Sequence, residues 1–182
     1  MEDLSLHILD IVDNAIAARA KRIEIWVVEE PSEDRLTIEI RDDGIGMDEE
    51  VRQKAVDPFF TTRSSRRVGL GLSFMAQAAQ EAGGSLRVES ELGKGTKVIA
   101  SFRYHHIDRK PLGSMVETVM TLLFGNPELE ILYAHGKDGK SFALSSSSVK
   151  NHFRDRPLID PEVIQWVERR LKEGLKQIGV QG

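Results

Sequence analysis

The sequence predicts a mixed α/β fold built around a mainly antiparallel sheet. Segments 22–30 and 35–42 alternate apolar and polar residues around a PSED turn, and segments 85–90 and 96–104 repeat the pattern around ELGKG. Segments with apolar residues three and four positions apart, typical of amphipathic helices, precede and separate these hairpins. The 182-residue chain is long enough to bury a core without disulfides, and it has no cysteine.

Local signals place the helices of the first half. The apolar stripe of residues 4–20 predicts the first helix. Three acidic residues at 48–50 favour the positive end of a short second helix, which is predicted to run to about Ala55. A third helix is predicted from Gly69 to Ala82, because Gly83 and Gly84 supply a helix C-terminal signal.

The composition shifts after Tyr104, and we place a domain boundary there. Residues 1–104 are expected to form one domain and residues 105–182 a small α+β domain of unknown role. In the second segment, residues 114–124 are expected to be helical and LEILYAHGKDGKSFALS to be a hairpin. Asp160 and Pro161 supply the N-cap and first position of a last helix, whose apolar stripe must pack against another element.

Composition excludes several classes of function. Without cysteine there is no zinc–cysteine cluster, redox pair or thiolate nucleophile. The 29 acidic and 25 basic residues give a net charge of −4, so neither nucleic acid nor a membrane is expected as a partner. No apolar run has the length of a membrane span, and the N-terminus MEDLSLH lacks the pattern of a secretion signal. We therefore expect a soluble cytoplasmic protein.

The first candidate site lies in the opening helix. His7, Asp10 and Asn14 fall at i, i+3 and i+7, on one helix face. A carboxylate and a carboxamide one turn apart provide hard oxygen ligands suited to Mg²⁺ or to orienting a water molecule. The alternative is a solvated polar face of an amphipathic helix.

The second candidate is RDDGIGM, residues 41–47, directly after an alternating strand. Two glycines separated by one residue let the backbone approach a flat ligand closely. An aspartate at the strand end can accept a hydrogen bond from an exocyclic amine such as that of adenine. The alternative is an ordinary turn between a strand and a helix.

The third candidate combines DPFFTTR, residues 57–63, with VGLGL, residues 68–72. A helix that opens with glycines presents unpaired N–H groups and the positive end of its dipole, which is an anion site. Arg63, Arg66 and Arg67 lie beside it in the sequence, where they could contact phosphates. Taken singly, such an arginine cluster is also compatible with solvated surface.

In this order and spacing the motifs resemble the GHKL superfamily of ATP-binding domains, shared by DNA gyrase B, the large heat-shock chaperone, sensor histidine kinases and MutL. Over residues 4–103, DIVDNAIAARA resembles the N box, DDGIGM the first glycine box, DPFFTTR the F box and VGLGLSF the second glycine box. GGSLRVESELGKGTKVIASF resembles the closing strand pair of histidine kinases. The resemblance implies the Bergerat fold, a two-layer α/β sandwich with helices on one sheet face and nucleotide between the layers, here followed by a small α+β appendage.

The resemblance also implies roles for individual residues. Asn14 would coordinate the Mg²⁺ that bridges the phosphates, and Asp42 would contact adenine, with Thr96 supporting the adenine end. Asp10 would orient or deprotonate the phosphate acceptor. The remaining positions implied to bind ATP lie in the matched motifs: Gly44, Gly46, Met47, Phe60, Thr61, Thr62, Arg63, Arg67, Gly69, Leu70, Gly71 and Leu72.

The sequence departs from the family pattern at three places. Asp10 replaces a glutamate, so its carboxylate is one methylene shorter, and Arg67 replaces the first glycine of the second glycine box. The segment between the F box and Gly69 predicts an unusually short lid. With six residues before His7, we expect no upstream helical hairpin with a phosphoacceptor histidine. The later histidines are expected at the surface or a boundary: His105, His106, His135 and His152.

The function that follows is a Mg²⁺–ATP-binding regulatory protein, a kinase that phosphorylates a separate partner as stand-alone anti-sigma-factor kinases do. One alternative is a nucleotide-gated binding module without turnover, and another is a slow ATPase. A protein partner is expected to dock through the C-terminal region or the lid. The sequence leaves the partner and the oligomeric state open.

Overall fold

A computed structural model of the chain describes residues 2–57 and 70–181. The strands follow one another in pairs, with helices before, between and after the pairs, and the predicted hairpins and helices of both halves are present. In chain order the elements are α1 (Leu4–Ala17), β1 (Arg22–Glu30), β2 (Arg35–Asp42), α2 (Glu49–Lys54), α3 (Leu70–Glu81), β3 (Ser85–Glu91), β4 (Gly95–Arg103), α4 (Met115–Gly125), β5 (Glu130–Lys137), β6 (Lys140–Ser145), α5 (Ser146–Phe153) and α6 (Pro161–Gln177).

The six described strands form one sheet in the order β3-β4-β2-β1-β5-β6. Four neighbouring pairs are antiparallel, and β1 and β5 are parallel. The predicted mixed, mainly antiparallel α/β fold is therefore confirmed.

The segment after Tyr104 extends this sheet. β5 pairs in parallel with β1, from Arg22 opposite Glu130 to Glu29 opposite Lys137, and β6 then forms the edge strand. Residues from both segments also share one apolar core. The division at Tyr104 into two domains stays a prediction, but sequence periodicity did not reveal that the two segments complete a common sheet.

The core lies between one face of the sheet and the helices. Alternate residues of β1, including Ile23 and Ile25, are fully buried against helices such as α1, which contributes Leu4 and Ile8. In α6 the predicted stripe packs as expected, because Val163, Val167, Leu171 and Leu175 are all buried. None of the helices within the described ranges has the length and apolar character needed to cross a membrane.

Helix α5 was not predicted. The serine run 145–148 gives little helical periodicity, but Ser145 and Ser148 form a reciprocal capping box. The Ser148 N–H donates to Ser145 Oγ over 3.1 Å, and the Ser145 N–H donates to Ser148 Oγ, also over 3.1 Å. These bonds satisfy backbone groups that the first helical turn leaves unpaired, so the serines begin the helix.

Candidate functional site

A cleft of about 80 Å³ lies where α1 and α3 meet the inner faces of β2 and β4. It brings together side chains from three of the sequence motifs and from the closing hairpin. Its lining consists of Ile11, Asn14, Ala15, Ala18, Asp42, Gly46, Met47, Leu72, Thr96 and Val98. Asn14, Asp42 and Thr96 are its polar side chains, and the rest is mainly apolar.

Asp42 is the last residue of β2. Its side chain reaches the cleft because it lies on the same face of the strand as the buried residues Ile38 and Ile40. It lies opposite Thr96 of β4, and its Oδ1 accepts a 2.8 Å hydrogen bond from the Gly44 N–H. Burial raises the pKa of the Asp42 carboxyl, and the charge of Asp43 acts in the same direction; the backbone N–H groups of Gly44 and Thr96 act against them. The carboxylate is therefore held in an apolar setting, where a donor from a ligand would interact strongly with it.

The neighbouring Asp43 has a structural task. Its Oδ1 accepts hydrogen bonds from the backbone N–H groups of Lys21, at 2.7 Å, and Arg22, at 2.9 Å. Burial acts to raise its pKa, but these backbone donors outweigh burial and lower it. The side chains of the two adjacent aspartates therefore point in different directions. Asp42 faces the cleft, and Asp43 connects the end of β2 to the start of β1 through its hydrogen bonds.

The DDGIGM loop packs directly on the turn between β3 and β4. Gly46 has φ of +71°, and a Cβ on it would overlap the carbonyl oxygen of Glu91. The Gly93 N–H donates a 2.8 Å hydrogen bond to the Ile45 carbonyl. The glycine therefore permits a backbone approach that closes this end of the cleft.

Ser90 is a residue of this region that the sequence analysis missed. Its Oγ accepts a hydrogen bond from the Met47 N–H at 2.8 Å, donates to the Gly95 carbonyl at 2.9 Å and lies 2.8 Å from Thr96 Oγ1. Because the single Ser90 proton goes to Gly95, the Thr96 hydroxyl donates to Ser90 and keeps its lone pairs for a ligand. The sequence offered one signal for this role, because Ser90 is a polar residue at a position of β3 that faces the core side of the sheet.

On α1 the three predicted polar residues have different environments. Asn14 lines the cleft, and its buried Nδ2 has no hydrogen-bond partner within the part of the chain that the structure describes. Asp10 is exposed one turn earlier, beside the start of α3, where a Cβ on Gly71 would lie 2.7 Å from Asp10 Cβ. The close packing of Gly71 on α1 thus places the N-terminus of α3 beside Asp10 and the cleft.

His7 does not line the cleft. It is 1% exposed, with its ring centroid 6.2 Å from that of Phe74 in α3. Burial, followed by the charge of Lys110, lowers the pKa of His7, so the neutral imidazole is favoured. The helix face predicted for His7, Asp10 and Asn14 therefore carries a packed histidine, an exposed carboxylate and an amide that lines the cleft.

Part of the predicted site lies outside the described residues. Leu70 is exposed at the beginning of α3, and Leu72 lines the cleft. The remaining predicted positions of the F box, the arginine cluster and the second glycine box lie between residues 57 and 70, outside the described ranges. These are Phe60, Thr61, Thr62, Arg63, Arg67 and Gly69.

The expectation for the later histidines is wrong for His135. It is 1% exposed and lies within a polar network, with Nδ1 2.6 Å from the Tyr133 hydroxyl and Nε2 2.7 Å from Glu29 Oε1. It is buried because its β5 strand is internal to the sheet, which sequence periodicity did not reveal. His105 and His152 are exposed as expected.

The fold and cleft define an α/β domain whose candidate site lies between one helix layer and the sheet. Residues 2–106 match the family described as histidine kinase-, DNA gyrase B- and HSP90-like ATPase. The match covers more than half of the chain, so this protein belongs to that family. Membership implies an ATP-binding domain, in agreement with the resemblance found from the motifs.

Several curated proteins are similar to the chain. The anti-sigma F factor of Clostridium acetobutylicum is 34% identical over 113 residues, which cover 59% of this chain and 73% of that protein. Sporulation kinase E of Bacillus subtilis is 37% identical over 89 residues, covering 48% of this chain and 12% of the kinase. The histidine-protein kinase AtoS of Escherichia coli is 38% identical over 96 residues, which cover 52% of this chain and 15% of the kinase. The chain thus spans a small part of these two kinases.

A solved structure described as the N-terminal domain of a DNA repair protein is also similar. The TM-score is 0.55 at 17% sequence identity, and the match covers 80% of this chain and 53% of that one. This likeness supports the fold assignment alone.

Proposed function

We propose that this protein binds Mg²⁺–ATP and transfers the γ-phosphate to a separate protein. The observation that carries the proposal is the convergence of Asn14, Asp42 and Thr96 on one cleft, with Asp10 one turn from Asn14 on α1. The similarity to an anti-sigma factor and to protein kinases supports the kinase class.

The adenine end of the site is proposed at Asp42 and Thr96. The Asp42 carboxylate can accept a hydrogen bond from a donor such as an exocyclic amine, and the Thr96 oxygen offers a further acceptor beside it. Met47, Leu72 and Val98 supply apolar walls for a flat ring. A polar pair at the bottom of an apolar cleft is the arrangement that fixes the orientation of a small ligand.

Asn14 is proposed as the protein ligand of Mg²⁺. Its oxygen is a ligand type that Mg²⁺ accepts, and its buried Nδ2, which has no partner among residues 2–57 and 70–181, is a donor suited to a phosphate oxygen. Within residues 2–57 and 70–181 no cluster of three or more His, Asp or Glu side chains is arranged to hold a metal. Asn14 would therefore act together with phosphate and water oxygens. The ion would supply neutralisation of phosphate charge.

Asp10 is proposed to orient the acceptor group or take its proton. Its exposed position lets a group from another protein approach it. Phosphoryl transfer depends mainly on positioning and on stabilising charge, so the short aspartate has to bring its oxygen within roughly 2.6 to 3.2 Å of the acceptor. The partner is proposed to dock through the lid or through residues 105–182.

Purified protein incubated with γ-labelled ATP and a cell lysate tests the proposal. We expect label on a protein other than this chain, and loss of that label in Asp10→Asn with ATP binding retained. Release of free phosphate alone would establish an ATPase instead. Labelling of the chain alone would contradict transfer to a partner.

A second candidate, a nucleotide-gated binding module, is favoured by one observation: Asp10 is one methylene shorter than the glutamate of the ATP-hydrolysing relatives. Single-turnover rates of the parent, Asp10→Glu and Asp10→Asn distinguish the two. Catalysis predicts faster turnover for Asp10→Glu and none for Asp10→Asn. Equal rates in all three proteins would favour the binding module.

A further inference from the structure

A second cavity, of about 370 Å³, lies where the connection between β4 and α4 meets the ends of β1 and β5 and the C-terminal end of α6. We call it the second cavity. It shares no lining residue with the cleft that contains Asn14 and Asp42. Its volume is in the range of sites that bind small molecules. The second cavity is therefore a candidate site for another ligand, and this inference does not depend on the proposed function.

Arg109 lines the second cavity, and backbone groups hold it in place. Its Nε donates a 2.6 Å hydrogen bond to the Tyr104 carbonyl, and its Nη1 donates to the Lys110 carbonyl over 3.3 Å. The guanidinium also lies over the Tyr104 ring, 4.9 Å from the centroid. A guanidinium has more N–H donors than these two bonds use. No carboxylate among the described residues forms an ion pair with Arg109, so the side chain is positioned but its charge is unmatched.

The other two charged residues of the lining neutralise each other. Lys137 Nζ lies 3.6 Å from Glu29 Oε2, and the Glu29 carboxylate also accepts hydrogen bonds from Tyr104 and His135. Burial acts to raise the pKa of Glu29 and to lower that of Lys137, but their hydrogen bonds and opposite charges outweigh burial. Both groups are therefore ionised at neutral pH. The lining keeps one unmatched positive charge, which is that of Arg109.

The second cavity also has apolar walls that are fixed to neighbouring elements. Two backbone hydrogen bonds, of 3.0 and 2.9 Å, hold residues 111–112 to the first turn of α1. On the opposite wall, Lys137 Nζ donates a 3.2 Å hydrogen bond to the Gly179 carbonyl. Such fixed walls need little ordering when a ligand binds. The apolar side chains of the lining are Pro111, Leu112, Met115, Leu175 and Val180.

We propose that the second cavity binds a small organic anion, whose carboxylate or phosphate group pairs with Arg109 and whose apolar body lies against the aliphatic walls. The planar guanidinium presents N–H groups in a fork that matches two oxygens of such a group. A neutral ligand leaves the charge of Arg109 unmatched, and a cation is repelled by it. The single unmatched charge of the lining selects a ligand with one anionic group.

Benzoate and phenyl phosphate carry the two anionic groups on the same apolar ring, and NMR titration of the full chain with each probe tests the proposal. We expect saturable shifts of the Gly113 and Gly179 amide signals, while those of Gly46 and Gly95 in the cleft stay in place. Benzyl alcohol is a neutral analogue, and inorganic phosphate lacks the apolar body. Each should bind at least about tenfold more weakly than the better of the two aromatic anions, because it loses either the charged hydrogen bonds or the apolar contact. The better of the two identifies the preferred anionic group.

Variants then connect binding to the unmatched charge. Arg109→Gln should weaken the better probe at least about tenfold, since charged hydrogen bonds are lost, and Arg109→Lys should recover only part of the affinity because an ammonium lacks the fork. Gln181 lies at the exposed rim of the second cavity. Gln181→Glu should weaken the probe by about threefold and Gln181→Lys should strengthen it similarly, without altering a buried group. Arg87→Gln, which removes an exposed arginine from β3, is the matched control and should bind like the parent.

Several results would overturn the proposal. These are no binding of either aromatic anion, shifts at Gly46 and Gly95 in place of Gly113 and Gly179, benzyl alcohol binding as tightly as benzoate, or equal affinities of the two Gln181 variants. Equal affinities of folded Arg109→Gln and Arg87→Gln would also do so. Circular dichroism verifies that each variant is folded.

Discussion

Gly95 packs so closely on Asp42 that a Cβ on Gly95 would overlap the carbonyl oxygen of Asp42. Gly95 begins β4 with φ of +84°, beside the strand position of Thr96. The end of β2 that carries the candidate adenine acceptor therefore depends on the absence of a side chain in the neighbouring strand.

Gly95→Ala should consequently damage both stability and the cleft. We expect a loss of more than about 1 kcal/mol in unfolding free energy, because steric overlap adds to the strain of a positive φ, together with loss of ATP binding. Gly93→Ala is the matched control in the same turn, with φ of +79°, and apart from its chain neighbours no described residue has an atom within 4 Å of the added Cβ. Denaturant titration and calorimetry compare the two. Equal effects of the two substitutions would contradict the packing argument.

Asn14→Ala should weaken binding of Mg²⁺–ATP much more than binding of metal-free ATP. The lost amide oxygen is the proposed ligand of a hard cation. Calorimetric titrations with and without Mg²⁺ measure the difference. Asp13→Ala, which removes an exposed side chain from the preceding position of α1, is the control. The same loss with and without metal would remove Asn14 from the proposed metal site.

Asp42→Asn should weaken ATP binding at least tenfold, since a buried hydrogen-bond partner contributes about 1 to 3 kcal/mol. The same change should raise the melting temperature of the nucleotide-free protein near neutral pH. The pKa of Asp42 is raised by burial, so its ionised form destabilises the folded state at neutral pH, and the parent recovers that stability as pH falls through the raised pKa. The advantage of Asp42→Asn should therefore shrink in acid.

Thermal unfolding at several pH values, with and without ATP, measures both the loss of ATP binding and the pH-dependent gain in stability of Asp42→Asn. Stabilisation by ATP that equals that of the parent would show that Asp42 does not contact the nucleotide. A melting-temperature advantage that grows as the pH falls would contradict the raised pKa.

Ser90→Ala should lower ATP affinity by about 1 to 2 kcal/mol, because the Thr96 hydroxyl and the Met47 N–H lose their partner. Ser85→Ala removes a hydroxyl from the exposed end of the same strand and is expected to leave affinity unchanged. Titration calorimetry compares the pair. If the Ser90 and Ser85 variants bind equally well, Ser90 does not position Thr96.

Glu29→Gln should destabilise the fold by about 1 to 3 kcal/mol at neutral pH, because a buried charged acceptor is removed. Glu29 accepts hydrogen bonds from His135 at 2.7 Å and from Tyr104 at 3.0 Å. Burial acts to raise the pKa of Glu29, but these bonds and the charge of Lys137 outweigh burial and lower it. The stabilisation is therefore present above the ordinary value of 4.5 and is lost as pH falls through the lower folded pKa.

Denaturant titrations from neutral to acidic pH should show the parent and Glu29→Gln converging in acid. Glu30→Gln, the adjacent residue on the outward face, should unfold at the parent's denaturant midpoint, since its pair with Arg35 is solvent-screened. A constant difference between the parent and Glu29→Gln down to pH values below the lowered pKa would contradict this account.

The sequence by itself determined the elements and the family, because periodicity and turn chemistry are local properties of the chain. The stripe of α1, the hairpins and the Asp160-Pro161 start of α6 follow from neighbours a few residues apart. The order of the glycine and N-box motifs also identified Asn14 and Asp42 as candidates, although their roles remain proposals. Ser145 and Ser148 show the limit of periodicity, since a reciprocal cap began a helix there.

Only the tertiary structure decided which residues meet across the chain. The parallel pairing of β5 with β1 buried His135 against Glu29, which is 106 positions away in the sequence. Packing of α3 on α1 buried His7 against Phe74 and left Asp10 exposed, although both share a helix face with Asn14. Ser90 acquired its role through Met47 and Thr96. Such contacts depend on strand order and helix packing, which local patterns do not specify, because each alternating segment can pair with several others at similar local free energy.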